Sequence, residues 1–385
     1  MSNASILPTG FTGTPHLAIT LALEAGGGWI GFDDFMALAL YAPGLGYYAS
    51  GSRQFGLMPA GHFAKPNGHA GAGEGGSDFA TAPEISPHFG RTLARQVAEA
   101  LTATGTREVW EFGAGSGALA QHLLEALGPQ LERYTIVDLS ASLRERQASR
   151  LAAFAGKVQW ASALPERISG VVVGNEVLDA MPVKLLARVG DVWHERGVTL
   201  NAGTLAFADR PTALRPPFEI AGSHDYLTEI HPQAEGFIRT LADRLQRGAA
   251  FFIDYGFPEH EYYHPQRSMG TVMCHRAHQV DGDPLVDVGS KDITAHVNFT
   301  AIALAGQEAG LTVVGYTSQG RFLLNCGLIE GLHNATLSER AMAQKLVNEH
   351  EMGELFKVIG FVAAASSDVQ WQAMGFAQAD RTRTL

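Results

Sequence analysis

The segment Val109-Trp-Glu-Phe-Gly-Ala-Gly-Ser-Gly-Ala-Leu119 constrains the chain more than any other stretch. A short apolar run ends in glycines 113, 115 and 117, and an apolar-periodic run follows at once. The pattern predicts a strand, a tight turn and a helix. Glycine lets the turn take left-handed backbone angles and lets a ligand lie against bare backbone at a helix N-terminus. Strand-like runs at 108–112, 134–138, 158–160, 171–174 and 250–254 alternate with helix-like runs at 117–127, 141–154 and 233–247. Such alternation implies a parallel sheet covered by helices on both faces, an α/β fold of Rossmann-like type.

The rest of the chain is arranged around that core. Residues 15–49 read as two short helices, the Gly-rich 59–77 as a flexible loop, and 88–103 as an amphipathic helix. A β excursion is expected at 183–208 and irregular chain at 256–298. A helix is predicted at 300–309, a strand at 311–317, mainly helical chain at 327–352 and a last apolar strand at 356–363. The division expected is a helical N-terminal extension over 1–100, a cofactor-binding core over 101–260, an insertion or substrate region with the last core strands over 261–365, and a tail over 366–385.

Composition excludes several classes. With 46% hydrophobic and 17% charged residues the chain is globular, and a net charge of -11 leaves no basic face for nucleic acid or an anionic membrane. No apolar run approaches the roughly 20 residues that span a bilayer. Met1 to Thr14 resembles neither a secretory signal nor a transit peptide, so a cytoplasmic, bacterial protein is expected. Two cysteines, Cys274 and Cys326, imply no disulfide framework. Cys274, His275 and His278 do not have metal-ligand spacing, and His260 and His264 lie in a loop-like stretch, so no metal site is expected.

The glycines alone also satisfy a relaxed dinucleotide fingerprint. Two carboxylates decide against a nicotinamide cofactor. Glu111, two residues before Gly113, can receive the amino end of a methionine moiety, whereas it would repel a pyrophosphate. Asp138, at the end of the next strand, can accept hydrogen bonds from both ribose hydroxyls. The cofactor expected is therefore S-adenosylmethionine, with Gly113, Ala114, Gly115 and Gly117 in its loop and Leu139 beside it. Near the adenine an acidic residue is missing; Ser162 can accept a hydrogen bond there and Trp160 can pack on the ring.

The acceptor side is expected at the carboxyl ends of the strands. Asn175, Glu176 and Asp179 place an amide and two carboxylates there, suited to gripping a planar guanidinium and polarising one of its nitrogens. Asp254 and Tyr255 follow another buried strand, and His296, Asn298, Gln319 and Arg321 form a later polar group, with His296 a candidate base.

Seven motifs carry a resemblance. They are Tyr41-Ala-Pro-Gly-Leu-Gly-Tyr-Tyr48, Asp78-Phe-Ala-Thr-Ala-Pro-Glu-Ile-Ser86, Glu111-Phe-Gly-Ala-Gly-Ser-Gly117, Asn175-Glu-Val-Leu-Asp-Ala-Met-Pro182, Ile253-Asp-Tyr-Gly256, Asp292-Ile-Thr-Ala-His-Val-Asn298 and Gln319-Gly-Arg-Phe-Leu-Leu-Asn325. In this order they resemble the MidA family of class I methyltransferases, relatives of the mitochondrial complex I assembly protein arginine methyltransferase. The resemblance implies a mostly parallel seven-stranded sheet, a helical N-terminal part and a C-terminal α/β insertion. It also implies that Thr81, Pro83 and Glu84 close over the cofactor and that Asn175, Glu176 and Asp179 face the acceptor. A protein substrate follows, in the mitochondrial members an arginine of a respiratory complex I subunit, and a homo-oligomer is compatible. The 59–77 segment is longer than the family's connection at that point. Methylation of a small molecule and a non-catalytic assembly role on the same fold are the alternatives.

Overall fold

The computed structural model describes residues 13–49, 81–138, 140–276, 279–366 and 371–385; the Gly-rich loop expected at 59–77 and Leu139 lie outside them. The first half of the chain runs α1 (Pro15–Ala25), β1 (Ile30–Gly31), α2 (Phe32–Tyr41), α3 (Ala82–Ile85), α4 (Pro87–Thr104), β2 (Glu108–Phe112), α5 (Ala118–Leu127), β3 (Arg133–Val137), α6 (Ala141–Arg150), β4 (Val158–Ala161) and β5 (Ile168–Asn175). An antiparallel excursion follows: β6 (Lys184–Val189), β7 (Val192–Asn201), β8 (Thr204–Pro211) and β9 (Tyr226–Ile230). The core resumes with α7 (Pro232–Arg244) and β10 (Leu245–Phe257), and α8 (Glu259–Tyr262) comes next. Then follow β11 (Met273–Arg276), β12 (Gln279–Asp281), β13 (Asp292–Thr294), β14 (Val297–Asn298), α9 (Phe299–Glu308), β15 (Thr312–Ser318), α10 (Gln319–Asn325) and β16 (Phe356–Val362).

The main sheet has the order β15-β16-β10-β5-β2-β3-β4, with β14 pairing β10 off that path. Strands β4, β3, β2, β5 and β10 are parallel, and β16 runs antiparallel between β10 and β15. This is the mostly parallel seven-stranded Rossmann-like sheet expected. Its central strands read as near-continuous apolar runs because helices cover both faces. Val109, Val171, Val173 and Phe251 pack against α4 and α5 through Phe89, Leu93, Val97, Leu119 and Leu123. Their alternates Trp110, Phe112, Val172 and Phe252 pack on α7 and α9 through Ile238, Leu241, Phe299 and Ile302. Each covering helix is shaped locally. Ser86 caps α4 by accepting from the His88 amide (3.3 Å), and Gly105 ends it in a left-handed turn.

Two stretches depart from the sequence reading. The excursion expected at 183–208 continues to Ile230, and β1 of the N-terminal segment joins it by pairing with β7. The stretch expected to be irregular at 256–298 contains a three-stranded antiparallel sheet, β12-β11-β13. The strands missed, β1, β9 and β11–β13, have only two to five residues each, so little apolar alternation marks them. A third apolar cluster, including Phe32, Phe35, Met36, Leu185, Val198, Cys274 and Ile293, joins α1 and α2 to these two small sheets.

Phe251 lies fully buried on the central strand β10. Phe251→Ala should cost about 3–5 kcal/mol of stability, a large part of what a domain has. Urea unfolding followed by circular dichroism would register it, and an unchanged midpoint would show that β10 is not the centre of the core.

Candidate functional site

The carboxyl ends of β2, β3, β5 and β10 open into one cavity of about 810 Å³. On its first side the loop after β2 passes under the cavity with Gly113, Gly115 and Gly117 at φ 63°, 53° and 81°, angles that glycine adopts without strain. Gly113, Ala114 and Gly115 line the cavity, while Gly117 packs towards Gln147. Glu111 is buried and accepts from the Tyr134 hydroxyl at 2.7 Å. Burial raises its carboxyl to about 8, against the lowering effect of that hydrogen bond; nearby Asp138 adds to the rise. Asp138 lines the cavity and is held by the Ser140 amide (2.9 Å) and by Gln147 (2.9 Å). Gln147 also donates to the Gly115 carbonyl (2.9 Å) and accepts from the Trp160 indole (2.9 Å).

Trp160 is thus committed to Gln147 rather than lying in the cavity, and Ser162 is exposed. Ala163 and Leu164 line the wall where the adenine contact was expected. Thr81 and Pro83 line the cavity above the loop. Glu84 does not: it accepts from Ser116 and from Arg150 (2.9 Å), tying α3 to the glycine loop and to α6.

The second side is built at the end of β5. Asn175, Glu176 and Asp179 all line the cavity, though no helical turn brings them there. Glu176 has φ 54°, a strained conformation for a residue with a side chain. Asn175 donates to Glu176 at 2.9 Å, and the Asn175 Oδ1 is buried without a partner. Burial raises Glu176 to about 8, helped by Asp179 and Asp292, against hydrogen bonds from Asn175 and the Ala82 amide. Asp179 rises to about 6 for the same first reason, although Tyr255 hydrogen-bonds to it.

Asp254, expected to touch substrate, serves instead as an anchor. It does not line the cavity; its Oδ2 accepts from the amides of Val177 (3.1 Å), Leu178 (2.9 Å) and Asp179 (3.3 Å). Tyr255 does line it. The other later residues lie outside the lining. His296 is wedged against the Tyr255 and Phe257 rings, and burial lowers it to about 4, so it is neutral at pH 7. Asn298 caps α9, Gln319 donates to the Leu346 carbonyl (2.9 Å), and Arg321 is exposed.

Residues not assigned from sequence complete the wall. Tyr41 and Tyr48 stack at 5.6 Å, and the Tyr48 hydroxyl donates to both carboxylate oxygens of Asp292 (2.8 and 2.9 Å). The signal existed, because Tyr41, Tyr48 and Asp292 all stand in the motifs quoted above. Gln147 and Arg150 left no signal on an ordinary polar helix. Six carboxyl groups line the cavity (Asp34, Glu111, Asp138, Glu176, Asp179 and Asp292), and among the described residues no lysine or arginine does. No group of His, Cys, Asp and Glu able to hold a metal occurs among the described residues, nor does any helix long and apolar enough to cross a membrane.

Comparison with known proteins fits this geometry. Residues 92–317 match a family model described as "Putative S-adenosyl-L-methionine-dependent methyltransferase". A Burkholderia thailandensis structure, described as a "likely methyl transferase" bound to S-adenosyl-homocysteine, is 48% identical, with TM-score 0.87 over 96% of each chain. The chain belongs to the MidA-type methyltransferase family. Among curated relatives, the mitochondrial protein arginine methyltransferase NDUFAF7 of Homo sapiens is 27% identical over 72% of each chain. Its Caenorhabditis elegans homolog is 24% identical over 83% of this chain and 78% of its own.

The cofactor of this MidA-type enzyme is S-adenosylmethionine, and S-adenosylhomocysteine is left after transfer. The residues lining the cavity fit it: the glycine loop supplies bare backbone, and Glu111 and Asp138 would face its amino and ribose groups. Gly115→Val should abolish S-adenosylhomocysteine binding in calorimetry while the far-ultraviolet spectrum stays native, at about 1–2 kcal/mol of backbone strain. Normal affinity would move the site elsewhere.

The raised Glu111 also sets a pH dependence. Between its ordinary value of 4.5 and about 8 the folded state keeps a proton that the unfolded chain has released. Stability therefore falls as pH rises through that window. The Tm of ligand-free Glu111→Gln should fall less from pH 5 to pH 8 than that of the wild type; a parallel decline would place the titration on other groups.

Proposed function

We propose that this enzyme is a protein arginine N-methyltransferase. The observation that carries the reading is the cavity with six carboxyl groups and, among the described residues, no lysine or arginine, whose acceptor side also presents stacked Tyr41 and Tyr48. A guanidinium is cationic, planar and able to take hydrogen bonds from two carboxylates at once, and it is attracted to aromatic faces. The names of the curated relatives support the same acceptor.

Bound S-adenosylmethionine supplies an electrophilic methyl group. Asp179, held by Tyr255, and Asp292, held by Tyr48, grip the guanidinium in one orientation. Glu176 takes the proton that leaves the attacked nitrogen. Entry of a cation lowers its raised value, so it is ionised when needed. Aligning the nitrogen lone pair with the methyl group is the main task left to the protein, and rigid carboxylates serve it. On the family resemblance, a subunit of respiratory complex I is the first acceptor to try, and the bacterial cytoplasm the compartment.

Incubation with tritiated S-adenosylmethionine and lysate from a strain lacking the gene tests the reading. A labelled protein band that yields methylarginine on hydrolysis is expected; label confined to small molecules would replace it with small-molecule methylation. Glu176→Gln should bind S-adenosylhomocysteine within about twofold of the wild type yet turn over about 10²-fold more slowly. Unchanged turnover would remove Glu176 from proton handling.

A further inference from the structure

The acceptor side of the cavity continues outward as a sheet face. In the register of β12-β11-β13, His275 stands opposite Val280 on one side and Asp292 on the other, and Met273 stands opposite Thr294. Directly opposed residues of antiparallel strands share a face, and neighbours along a strand alternate. Cys274 and Ile293 accordingly point the other way, into the cluster shared with α2. On the first face, His275, Asp292 and Thr294 line the cavity, whereas Val280 and Met273 are 59% and 42% exposed. A row of side chains thus runs from open Val280 through half-buried His275 to Asp292 in the pocket.

Met273 and Val280 are diagonal neighbours across β11 and β12, so they form one small apolar patch on a face that leads into the reaction pocket, where a partner can cover it. We propose that this face is the docking platform for the acceptor chain, an extended peptide segment whose apolar side chains beside the acceptor residue lie over Met273 and Val280. The inference rests on the reading of the acceptor as a protein arginine. A residue inserted into the cavity between Glu176 and Asp292 leaves its own flanking chain outside it, and the face that carries Asp292 and His275 continues to exposed Val280 and Met273. The exposed apolar part of this face consists of two side chains, Val280 and Met273, which suits a single extended segment better than a folded surface. Its nearby charges are already matched, Arg276 with Asp287 (2.8 Å) and Lys291 with Asp281 (2.9 Å), so it offers little to a phosphate-bearing partner.

Two synthetic peptides with one central arginine test this, one with leucine two residues to either side and one with serine there. The wild type should methylate the leucine peptide with a kcat/KM about tenfold higher, as burial of apolar side chains predicts. The double variant Met273→Ser, Val280→Asp should lose that advantage while keeping its rate on the serine peptide and its affinity for S-adenosylhomocysteine. If that affinity drops, the milder Val280→Ser, which should keep it and show a smaller loss of preference, takes its place. Equal wild-type rates on the two peptides would overturn the platform and leave the arginine reading intact. Transfer to neither peptide, with S-adenosylhomocysteine still bound, would overturn both.

Discussion

One buried carboxylate holds the site in shape. At the end of β5 the chain must stop being a strand and present side chains to the cavity, and no helix takes it up. Asp254, at the matching level of β10, accepts the three successive amides of Val177, Leu178 and Asp179 on one oxygen. Its other oxygen receives the Tyr255 amide (3.0 Å), and the Glu176 amide donates to the Ile253 carbonyl (2.9 Å). This clamp sustains Glu176 at its left-handed φ, a conformation that persists only where the surroundings over-determine it. Burial, Asp179 and Glu176 push the Asp254 carboxyl upward, while the amides favour its ionised form. The positions of Asn175 and Asp179 both follow from this contact between two neighbouring parallel strands.

The way the carboxyl groups are satisfied matters as much as their number. Burying a charge is costly unless it is hydrogen-bonded, and an arginine or lysine partner is the usual remedy. Here the partners are neutral donors: Tyr134 for Glu111, Tyr48 for Asp292, Tyr255 for Asp179, Gln147 for Asp138 and Asn175 for Glu176. Neutral donors relieve desolvation without cancelling charge. Burial still raises Glu111 and Glu176 because these hydrogen bonds only partly offset it, and an entering cation finds carboxyl groups not already paired in salt bridges.

The cofactor side was legible in the sequence because its chemistry is local. Glu111, the glycines and Asp138 stand at fixed offsets from strand ends, and the short apolar strands around them alternate with amphipathic helices. The side proposed for the acceptor is lined by Tyr41, Tyr48, Glu176, Asp179, Tyr255 and Asp292, brought together only by tertiary packing. Asp254, Asn298 and Gln319 looked like site residues because buried polar groups near strand ends serve either chemistry or architecture, and sequence does not say which. In each case the hydrogen bonds decide for architecture. Glu84 and Arg150 went the same way, from an expected ligand contact and an unremarked helical residue to a tie across the glycine loop.

The topology explains why the two sides differ in this respect. The excursion β6–β9 leaves from the carboxyl end of β5, and the three-stranded sheet leaves from that of β10. Both are therefore extruded on the reactive edge of the main sheet, where insertions disturb no core strand. The N-terminal segment then locks onto the excursion through Ile30↔Val198 and delivers Leu38 and Tyr41 to the cavity from across the chain. The shared sheet therefore supplies the glycine-loop side whole, and only Asn175 and Tyr255 of the other side. On the proposed function, discrimination among acceptors falls to elements beyond the common sheet: α2, the segment after β5 and the β11–β13 sheet.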